Sequence, residues 1–206
     1  GAILKRTINV PIVTTVHSDY RLDYLGRPFH RLTYGTINTI SLRMFDYHIG
    51  VSDAMVQLLI SRGFNPQKLF SIYNGVAFPP EKPSLSRGEY LESLCVSYDE
   101  DTVVFGIAAR LNPVKDIATL IRGFAGACRK CPNIRLVIAG DGEERQMLEA
   151  LAKETCPAGS VVFAGWVKDT DSFYHAIDVN MLTSLSEGAP YALVEGARMR
   201  CATIAT

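Results

Sequence analysis

The chain has 206 residues, 48% of them apolar and 20% charged, so it can bury a substantial core and is neither disordered nor fibrous. Its 21 basic residues balance its 21 acidic residues. This neutrality excludes a global field that attracts nucleic acid, and we expect no nucleic-acid partner. No apolar run approaches the ~20 residues that cross a bilayer. The five cysteines are odd in number and sparse, which favours a reducing compartment, the cytoplasm.

Apolar, β-branched runs alternate along the chain with longer segments of helical period. This alternation is typical of β-α units that build a parallel sheet, and it predicts the α/β class. We predict strands at Val10–His17, Tyr47–Ser52, Leu69–Tyr73, Thr102–Ala109, Ile134–Ala139, Val161–Ala164, Val179–Thr183 and Ala202–Ala205. We predict helices at Leu32–Phe45, Asp53–Arg62, Arg87–Ser93, Ile117–Lys130, Glu143–Glu154, Ser172–Ala176 and Tyr191–Arg200.

One stretch, Val76 to Asp101, interrupts the alternation with three prolines and a cluster of acidic residues. Proline removes a backbone donor and blocks a continuing strand, so we predict a connection between two domains. The predicted parts are a partial first domain at residues 1–78, a linker with a short helix at 79–101, and a second domain at 102–206. The chain starts without methionine and stops inside a predicted strand, so we expect both domains to be truncated.

Two cations follow the buried strand that begins near Val103: Arg110 directly after it and Lys115 at the expected start of the next helix. Ligands of parallel sheets bind at the carboxyl ends of the strands, where helix amino termini offer free amides to phosphates. A guanidinium that holds two oxygens and an ammonium that acts as a point charge suit a diphosphate. The alternative is a pair of ordinary surface cations beside a loop.

Two carboxylates, Glu187 and Glu195, stand eight positions apart across a predicted strand-to-helix turn that contains Gly188 and Pro190. The glycine allows close backbone approach, and proline fits the first turn of a helix. Glu187 then lies at the strand end, near a reaction centre, and Glu195 is a candidate for binding the hydroxyls of ribose. The alternative is one glutamate favoured by the helix dipole and one solvated glutamate.

Three further motifs give no metal or cofactor site, and we predict neither. Asp169-Thr170-Asp171 has the form of a metal-binding D-x-D motif, but it precedes a short helix that aspartates are suited to cap. Gly140-Asp141-Gly142 lacks the third glycine of a dinucleotide fingerprint, since Arg145 occupies that position. Cys128 and Cys131 have no second pair or histidine nearby to complete a zinc site.

Taken together, the motifs of the second domain resemble glycosyltransferase family 4, from about Pro11 to the end of the chain. The resemblance implies the GT-B fold, with two Rossmann-like domains, and a retaining hexosyltransferase that uses a nucleoside-diphosphate sugar. The residues that carry it are Arg110 with Lys115, Ile138 to Gly142 with Arg145 and Leu148, Val162 to Gly165, Asp178, and Glu187, Gly188 and Pro190 with Glu195.

The resemblance also implies roles for single residues of the donor-binding second domain. Arg110 and Lys115 bind the donor diphosphate, and Glu195 binds the ribose. Catalytic Glu187, with the amides of Gly188 and Ala189, addresses the transferred sugar. The residues on the nucleobase side are Gly165, Trp166 and Val167.

In the acceptor-side first domain, His17 looks like the family's catalytic histidine at a strand end. It is followed by Ser18 and Asp19, whereas the family has aspartate directly after the histidine. Two segments, Val51-Ser52 and Asn74-Gly75-Val76, also look like family segments that end first-domain strands, although Asn74-Gly75 is also typical of a simple turn.

Two departures from the family pattern concern the donor site. Lys115 is followed by Asp116 where glycine is usual, and Glu195 is followed by Gly196 where alanine is usual. Asp116 brings a negative charge close to the predicted phosphates unless it points into solvent or caps the helix.

The acceptor implied by the resemblance is a sugar, a glycan or a lipid-linked sugar. The first 48 residues carry an excess of cations interleaved with aromatic and aliphatic residues, which fits either peripheral contact with the cytoplasmic membrane face or a solvated helix face. Two alternative functions remain at this point. One is a non-catalytic remnant that binds nucleotide sugars, and the other is a different GT-B enzyme, such as a nucleotide-sugar epimerase or a phosphorylase.

Overall fold

The computed structural model describes residues 10–19, 21–22, 28–78 and 82–206. The chain forms two compact units. The first unit comprises Gly1–Gly75 together with Ser186–Pro190, and the second comprises Val76–Leu185 with Tyr191–Thr206. Each unit contains a parallel sheet with helices in the connections, so the predicted α/β class is confirmed.

The first unit contains a three-stranded parallel sheet in the order β1-β2-β3. Its core contains Val16 and Leu69 from the sheet and Met55 and Leu59 from one helix. The strands are β1 (Val13–Val16), β2 (Tyr47–Gly50) and β3 (Leu69–Ser71), and the helices are α1 (Pro28–Arg43) and α2 (Asp53–Ser61).

Each element of the first unit ends one or two residues earlier than predicted. Two of the elements also start at a different residue, and proline explains both starts. Strand β1 begins at Val13 instead of Val10, because Pro11 has no N–H to donate to a sheet. Helix α1 begins at Pro28 instead of Leu32, because proline is well suited to the first helical position.

The second unit contains a five-stranded parallel sheet in the order β6-β5-β4-β7-β8. Its strands are β4 (Val103–Ala108), β5 (Ile134–Ala139), β6 (Val161–Gly165), β7 (Val179–Leu182) and β8 (Ala202–Ala205). Its helices are α3 (Arg87–Ser93), α4 (Ile117–Cys128), α5 (Arg145–Thr155), α6 (Thr170–Ala176) and α7 (Tyr191–Arg198).

Helices cover both faces of this sheet, as the alternation of side chains along β5 shows. Leu136 and Ile138 belong to a buried cluster with α4 and α5. Val137 and Ala139 point the other way, into a cluster with α3 and α6. The period of two along a strand therefore divides the core into two apolar layers around one sheet.

The predicted linker helix α3 is present with the predicted bounds, and it packs as part of the second unit. A capping box fixes its start, in which Ser86 and Glu89 satisfy each other's backbone amides. Arg87 donates two hydrogen bonds of 2.9 Å to the Asp178 carboxylate. This bidentate pair ties the linker to the residue that precedes β7.

Gly196, which stands where alanine is usual, lies against a buried amide. A Cβ atom at this position would lie 2.5 Å from the Nδ2 atom of Asn180. Asn180 is fully buried and uses that nitrogen to donate to the Ala192 carbonyl, at 2.8 Å. The glycine therefore makes room for an asparagine that anchors α7 to β7.

Candidate active site

A cavity of about 730 Å³ lies at the carboxyl ends of β4, β5 and β6 in the second unit. Its charged lining residues are Arg110 and Asp141, and the rest of the lining is largely apolar. Carboxyl ends of parallel strands are where α/β sheets bind ligands. The lining residues are Ala108, Ala109, Arg110, Ala139, Gly140, Asp141, Trp166, Val167, Thr170 and Phe173.

Backbone hydrogen bonds join the three loops that form this edge. The Ala109 amide donates to the Ala139 carbonyl at 3.0 Å, and the Gly140 amide donates to the Gly165 carbonyl at 2.7 Å. Gly140 has φ +134°, and a Cβ atom there would lie 1.9 Å from the Ala109 carbonyl oxygen. Glycine is therefore required for the loops to approach this closely.

The three residues predicted on the nucleobase side follow β6 into the cavity. Gly165 contributes the carbonyl that holds the loop of β5, whereas Trp166 and Val167 line the cavity directly. Trp166 is 77% exposed. An exposed indole beside an apolar cavity offers a flat surface on which an aromatic ring can stack.

Of the two predicted phosphate-binding cations, Arg110 lines the cavity and Lys115 does not. Lys115 ends a 3₁₀ turn, Pro113–Lys115, and α4 begins at Ile117, so the prediction that Lys115 opens the helix was wrong. The Thr183 hydroxyl donates to the Lys115 carbonyl at 3.0 Å. This bond ties the turn to the residue that follows β7.

Asp116 adopts the left-handed conformation, with φ 45° and ψ 45°. Its side chain makes no capping hydrogen bond to α4, so the capping alternative is wrong. A left-handed backbone suits glycine, the residue usual at this position in the family that the sequence resembles. Asp116 therefore preserves the local backbone shape while it adds a negative charge next to Lys115.

Glu195 lies in the middle of α7, half-buried, and is not among the residues that line the cavity. Burial raises its pKa, and the charge of Asp171 acts in the same direction. The neighbouring Tyr174 hydroxyl and the charge of Arg198 oppose the rise. Asp171 and Arg198 also form an ion pair, with side chains only 12% and 11% exposed.

Asp169 and Asp171, the two acidic residues of the D-x-D motif, have separate structural roles. Asp169 accepts a hydrogen bond from the Ser172 amide at 3.0 Å and is the N-cap of α6, as predicted. Asp171 instead pairs with Arg198. Among the residues that the structure describes, no group of three or more histidine, cysteine, aspartate or glutamate side chains could hold a metal.

The loop that carries Glu187, Gly188 and Ala189 belongs to the first unit, together with His17. His17 is exposed and follows β1. A Cβ atom on Gly188 would lie 2.2 Å from the His17 carbonyl oxygen, so the loop backbone presses against this strand end. Glu187 and His17, which the sequence proposed as catalytic, are thus brought into one unit.

Asp19, two residues after His17, forms an ion pair with Arg62 at 2.5 Å. Burial of the carboxyl opposes its ionisation, but the hydrogen bond from Arg62 and the amide of Arg21 outweigh burial, and the pKa of Asp19 is lowered. The side chains of Asp19 and Arg62 are 12% and 10% exposed. The acidic residue near the histidine is therefore engaged in holding α2.

Sequence reasoning missed the contacts that Ser52 and Asn74 make with the loop. The Ser52 hydroxyl donates to the Gly188 carbonyl at 2.7 Å, and the Asn74 side-chain amide donates to the Ala189 carbonyl at 3.0 Å. Ser52 and Asn74 lie in the two first-domain segments whose sequences resemble the family, and this resemblance was the signal that could have pointed to them. Their partners are more than a hundred positions away along the chain, and no local pattern reveals such a pairing.

The chain thus consists of two α/β units with parallel sheets and has a ligand-sized cavity at the strand carboxyl ends of the second unit, which is the architecture expected of the GT-B fold. Residues 96–206 match the model of the glycosyl transferases group 1 family, and residues 1–78 match that of Glycosyltransferase Family 4. The chain therefore belongs to the group 1 glycosyl transferases, and the predicted resemblance to family 4 is confirmed.

Similar proteins of named activity cover almost the whole chain. It is 26% identical to the UDP-Gal:alpha-D-GlcNAc-diphosphoundecaprenol alpha-1,3-galactosyltransferase of Escherichia coli, over 95% of this chain and 51% of that protein. It is 28% identical to a component of the phosphatidylinositol N-acetylglucosaminyltransferase of Arabidopsis thaliana, over 98% of this chain and 42% of that protein. The chain thus spans about half the length of these relatives.

Among solved structures, the chain resembles Alr3699/HepE of Anabaena in complex with UDP-glucose. The TM-score is 0.80, the sequence identity is 23%, and the match covers 100% of this chain and 56% of the other. This similarity supports the GT-B fold of the chain.

We predict that Glu195→Gln reduces the loss of stability with rising pH. The pKa of Glu195 is raised above its usual value of 4.5, so the folded state binds more protons than the unfolded state and loses stability as the pH rises above that value. Urea unfolding between about pH 4 and about pH 7 measures this dependence. The free energy of unfolding of the variant should increase toward the higher pH relative to that of the wild-type protein. A difference between the two free energies that stays constant with pH would contradict the raised pKa of Glu195.

Proposed function

We propose that this protein is a retaining glycosyltransferase that moves a sugar from a nucleoside diphosphate to an acceptor hydroxyl, in polysaccharide, glycolipid or glycoconjugate synthesis. The single observation that carries the proposal is the cavity at the carboxyl edge of the second sheet, lined by Arg110 and Trp166. It combines a cation for phosphate with an exposed aromatic side chain for a base, the two ends of a nucleoside diphosphate.

Arg110 and Lys115 provide the charge that the reaction needs. As the bond between sugar and phosphate breaks, negative charge builds on the leaving nucleoside diphosphate and positive charge builds on the sugar. A guanidinium holds phosphate oxygens in a fixed geometry, and a nearby ammonium adds a point charge. The Thr183 bond to the Lys115 carbonyl fixes the backbone from which this ammonium extends.

Trp166 and Val167 form the nucleobase side of the proposed site. An indole that is 77% exposed and lines an apolar cavity can stack on a base, a contact that does not depend on which base is bound. Alr3699/HepE, which shares the fold, is described in complex with UDP-glucose. UDP and UDP-sugars are therefore the first ligands to test.

The transferred sugar is assigned to the loop of Glu187, Gly188 and Ala189, and to His17. All four residues lie in the first unit, where the loop backbone meets the end of β1. Glu195, which lies half-buried near Tyr174 and Arg198, is assigned to the ribose. No carboxylate is assigned as a covalent nucleophile, so catalysis depends on positioning and charge stabilisation.

The acceptor we favour is a lipid-linked sugar, with the protein in the cytoplasm and touching the membrane face. The E. coli relative is named for a diphosphoundecaprenol substrate and the Arabidopsis relative for phosphatidylinositol. Helix α1 exposes Phe29, Ile37 and Ile40, an apolar surface of the kind that inserts at a bilayer interface. No described helix is long and apolar enough to cross a membrane.

We predict that Arg110→Ala and Lys115→Ala each weaken UDP binding by about 1.5–3 kcal/mol, the worth of a hydrogen bond to a charged group. Trp166, the one tryptophan of the sequence, reports binding through its fluorescence. Arg129→Ala is the matched control, because Arg129 follows α4 at the opposite end of the sheet. Equal UDP affinity in all four proteins would contradict the phosphate assignment.

We also predict that transfer depends on the lipid part of the acceptor. Mass spectrometry of products, with UDP-galactose as donor, compares N-acetylglucosamine linked to a polyprenyl diphosphate with the free sugar at equal concentration. The lipid-linked acceptor should be glycosylated faster, because it adds contacts that the free sugar lacks. Equal rates for the two acceptors would contradict the proposed lipid-linked acceptor but would not contradict the proposed donor site.

The same product analysis separates the alternatives. A nucleotide-sugar epimerase or a phosphorylase shares the fold but gives a different product from the same donor. A non-catalytic remnant binds UDP without turnover. Since both would show normal Trp166 fluorescence changes, binding alone does not decide between them and the transferase.

A further inference from the structure

The loop Ser186–Pro190 lies against the carboxyl ends of the strands in the first unit. Gly188 contacts the segment after β1, since its added Cβ would lie 2.2 Å from the His17 carbonyl oxygen. Gly188 also meets the segment after β2, where that Cβ would lie 3.0 Å from a Val51 methyl group. Asn74, three residues after β3, completes the row of contacts.

The Ser52 hydroxyl has a fixed direction because it has two partners. Its oxygen accepts a hydrogen bond from the Met55 amide at 3.2 Å, as the N-cap of α2. Its hydrogen is donated to the Gly188 carbonyl at 2.7 Å. Ser52 is only 8% exposed, so water does not compete effectively for either bond.

Asn74 holds the next carbonyl of the loop. Its Nδ2 atom donates to the Ala189 carbonyl oxygen at 3.0 Å. Two successive carbonyls of the loop are therefore held by two side chains from different strand ends. One bond leaves a loop free to pivot, whereas two adjacent bonds fix the orientation of the backbone between them.

The orientation matters because a trans peptide group is planar, with its C=O and N–H pointing in opposite directions. The Gly188 carbonyl and the Ala189 N–H belong to the same peptide group. When Ser52 holds the carbonyl, it directs the Ala189 N–H away from the strand ends. The second carbonyl precedes Pro190, which has no N–H, so the Asn74 bond serves to anchor the chain.

We infer that Ser52 and Asn74 are positioning residues that hold the Glu187 loop and aim the Ala189 amide at the transferred sugar. The inference rests on the proposed function for the identity of the sugar ligand. Whether Ser52 and Asn74 hold the loop in the ligand-free protein does not depend on the identity of the ligand, and it can be measured without one.

Four substitutions test the inference. Ser52→Ala removes the donor, and Ser52→Thr restores a hydroxyl in its place. Asn74→Asp keeps the size of the side chain but replaces the donor with an oxygen that repels the Ala189 carbonyl. Ser61→Ala is the matched control, because the Ser61 hydroxyl also donates to a backbone carbonyl, that of Leu58, within the same helix.

The first measurement is cleavage of the ligand-free protein after Glu187 by a glutamate-specific protease, since cleavage requires the loop to detach. Loss of one hydrogen bond should speed this cut about fivefold to tenfold in Ser52→Ala and Asn74→Asp. Ser52→Thr and Ser61→Ala should match the wild-type protein. Cleavage after Glu149, which lies inside helix α5 of the second unit and is accessible only after unfolding, should not change in any variant and controls for global unfolding.

The second measurement compares UDP with a UDP-sugar by Trp166 fluorescence. Loss of loop positioning should weaken UDP-sugar binding about fivefold to tenfold and leave UDP affinity unchanged, because UDP lacks the transferred sugar that the loop contacts. Unchanged cleavage after Glu187 in both Ser52→Ala and Asn74→Asp would overturn the inference. An equal loss of affinity for UDP and for the UDP-sugar would also overturn it. If the wild-type protein binds neither ligand, the proposed function fails, while the cleavage result still decides whether the two residues hold the loop.

Discussion

The close approach of three backbone loops at the carboxyl edge of the second sheet is the constraint on which the candidate site depends. The Ala109 and Gly140 amides bond to carbonyls of the neighbouring loops, and Gly140 leaves no room for a side chain. These main-chain bonds keep the ends of β4, β5 and β6 together without using side chains. Arg110, Trp166 and Val167 are therefore left to line the cavity above them.

The predicted site residues differ in how exposed they are and in what surrounds them. Arg110 is exposed and lines the cavity, so it can meet a phosphate without a large desolvation cost. Glu195 is half-buried near Tyr174, Arg198 and Asp171, and burial raises its pKa. The loop of Glu187 has another kind of support, since side chains from the segments that follow β2 and β3 hold its backbone.

Much of this could be predicted from local sequence, for physical reasons that the elements make clear. Helix α3 was predicted with its bounds after the prolines of the linker, and the structure shows that a capping box of Ser86 and Glu89, a short-range interaction, fixes its start. Strands β4 and β5 of the second sheet were predicted because apolar runs of their length favour burial, and most of their residues are buried or half-buried. The left-handed backbone of Asp116 was not predicted from local sequence. Asp116 adopts it directly after the turn Pro113–Lys115, and aspartate does not require this conformation.

Long-range pairing was beyond the reach of sequence. The five residues Ser186–Pro190 follow β7 in the chain, yet they pack in the first unit, because the partners of Gly188 and Ala189 lie at positions 52 and 74. Likewise, the pairing of Asp171 with Arg198 depends on how α6 and α7 pack. A D-x-D spacing alone does not distinguish this pair from a metal ligand.

Hydrogen exchange with and without UDP measures whether the carboxyl edge of the second sheet holds a nucleoside diphosphate, as we propose. We expect UDP to slow exchange in the loops at residues 109–116, 140–145 and 165–170, which follow β4, β5 and β6. Protection confined to the opposite end of the sheet, around Arg87 and Asp99 where a second cavity lies, would rule out nucleotide binding at the carboxyl edge, as would no protection at saturating UDP.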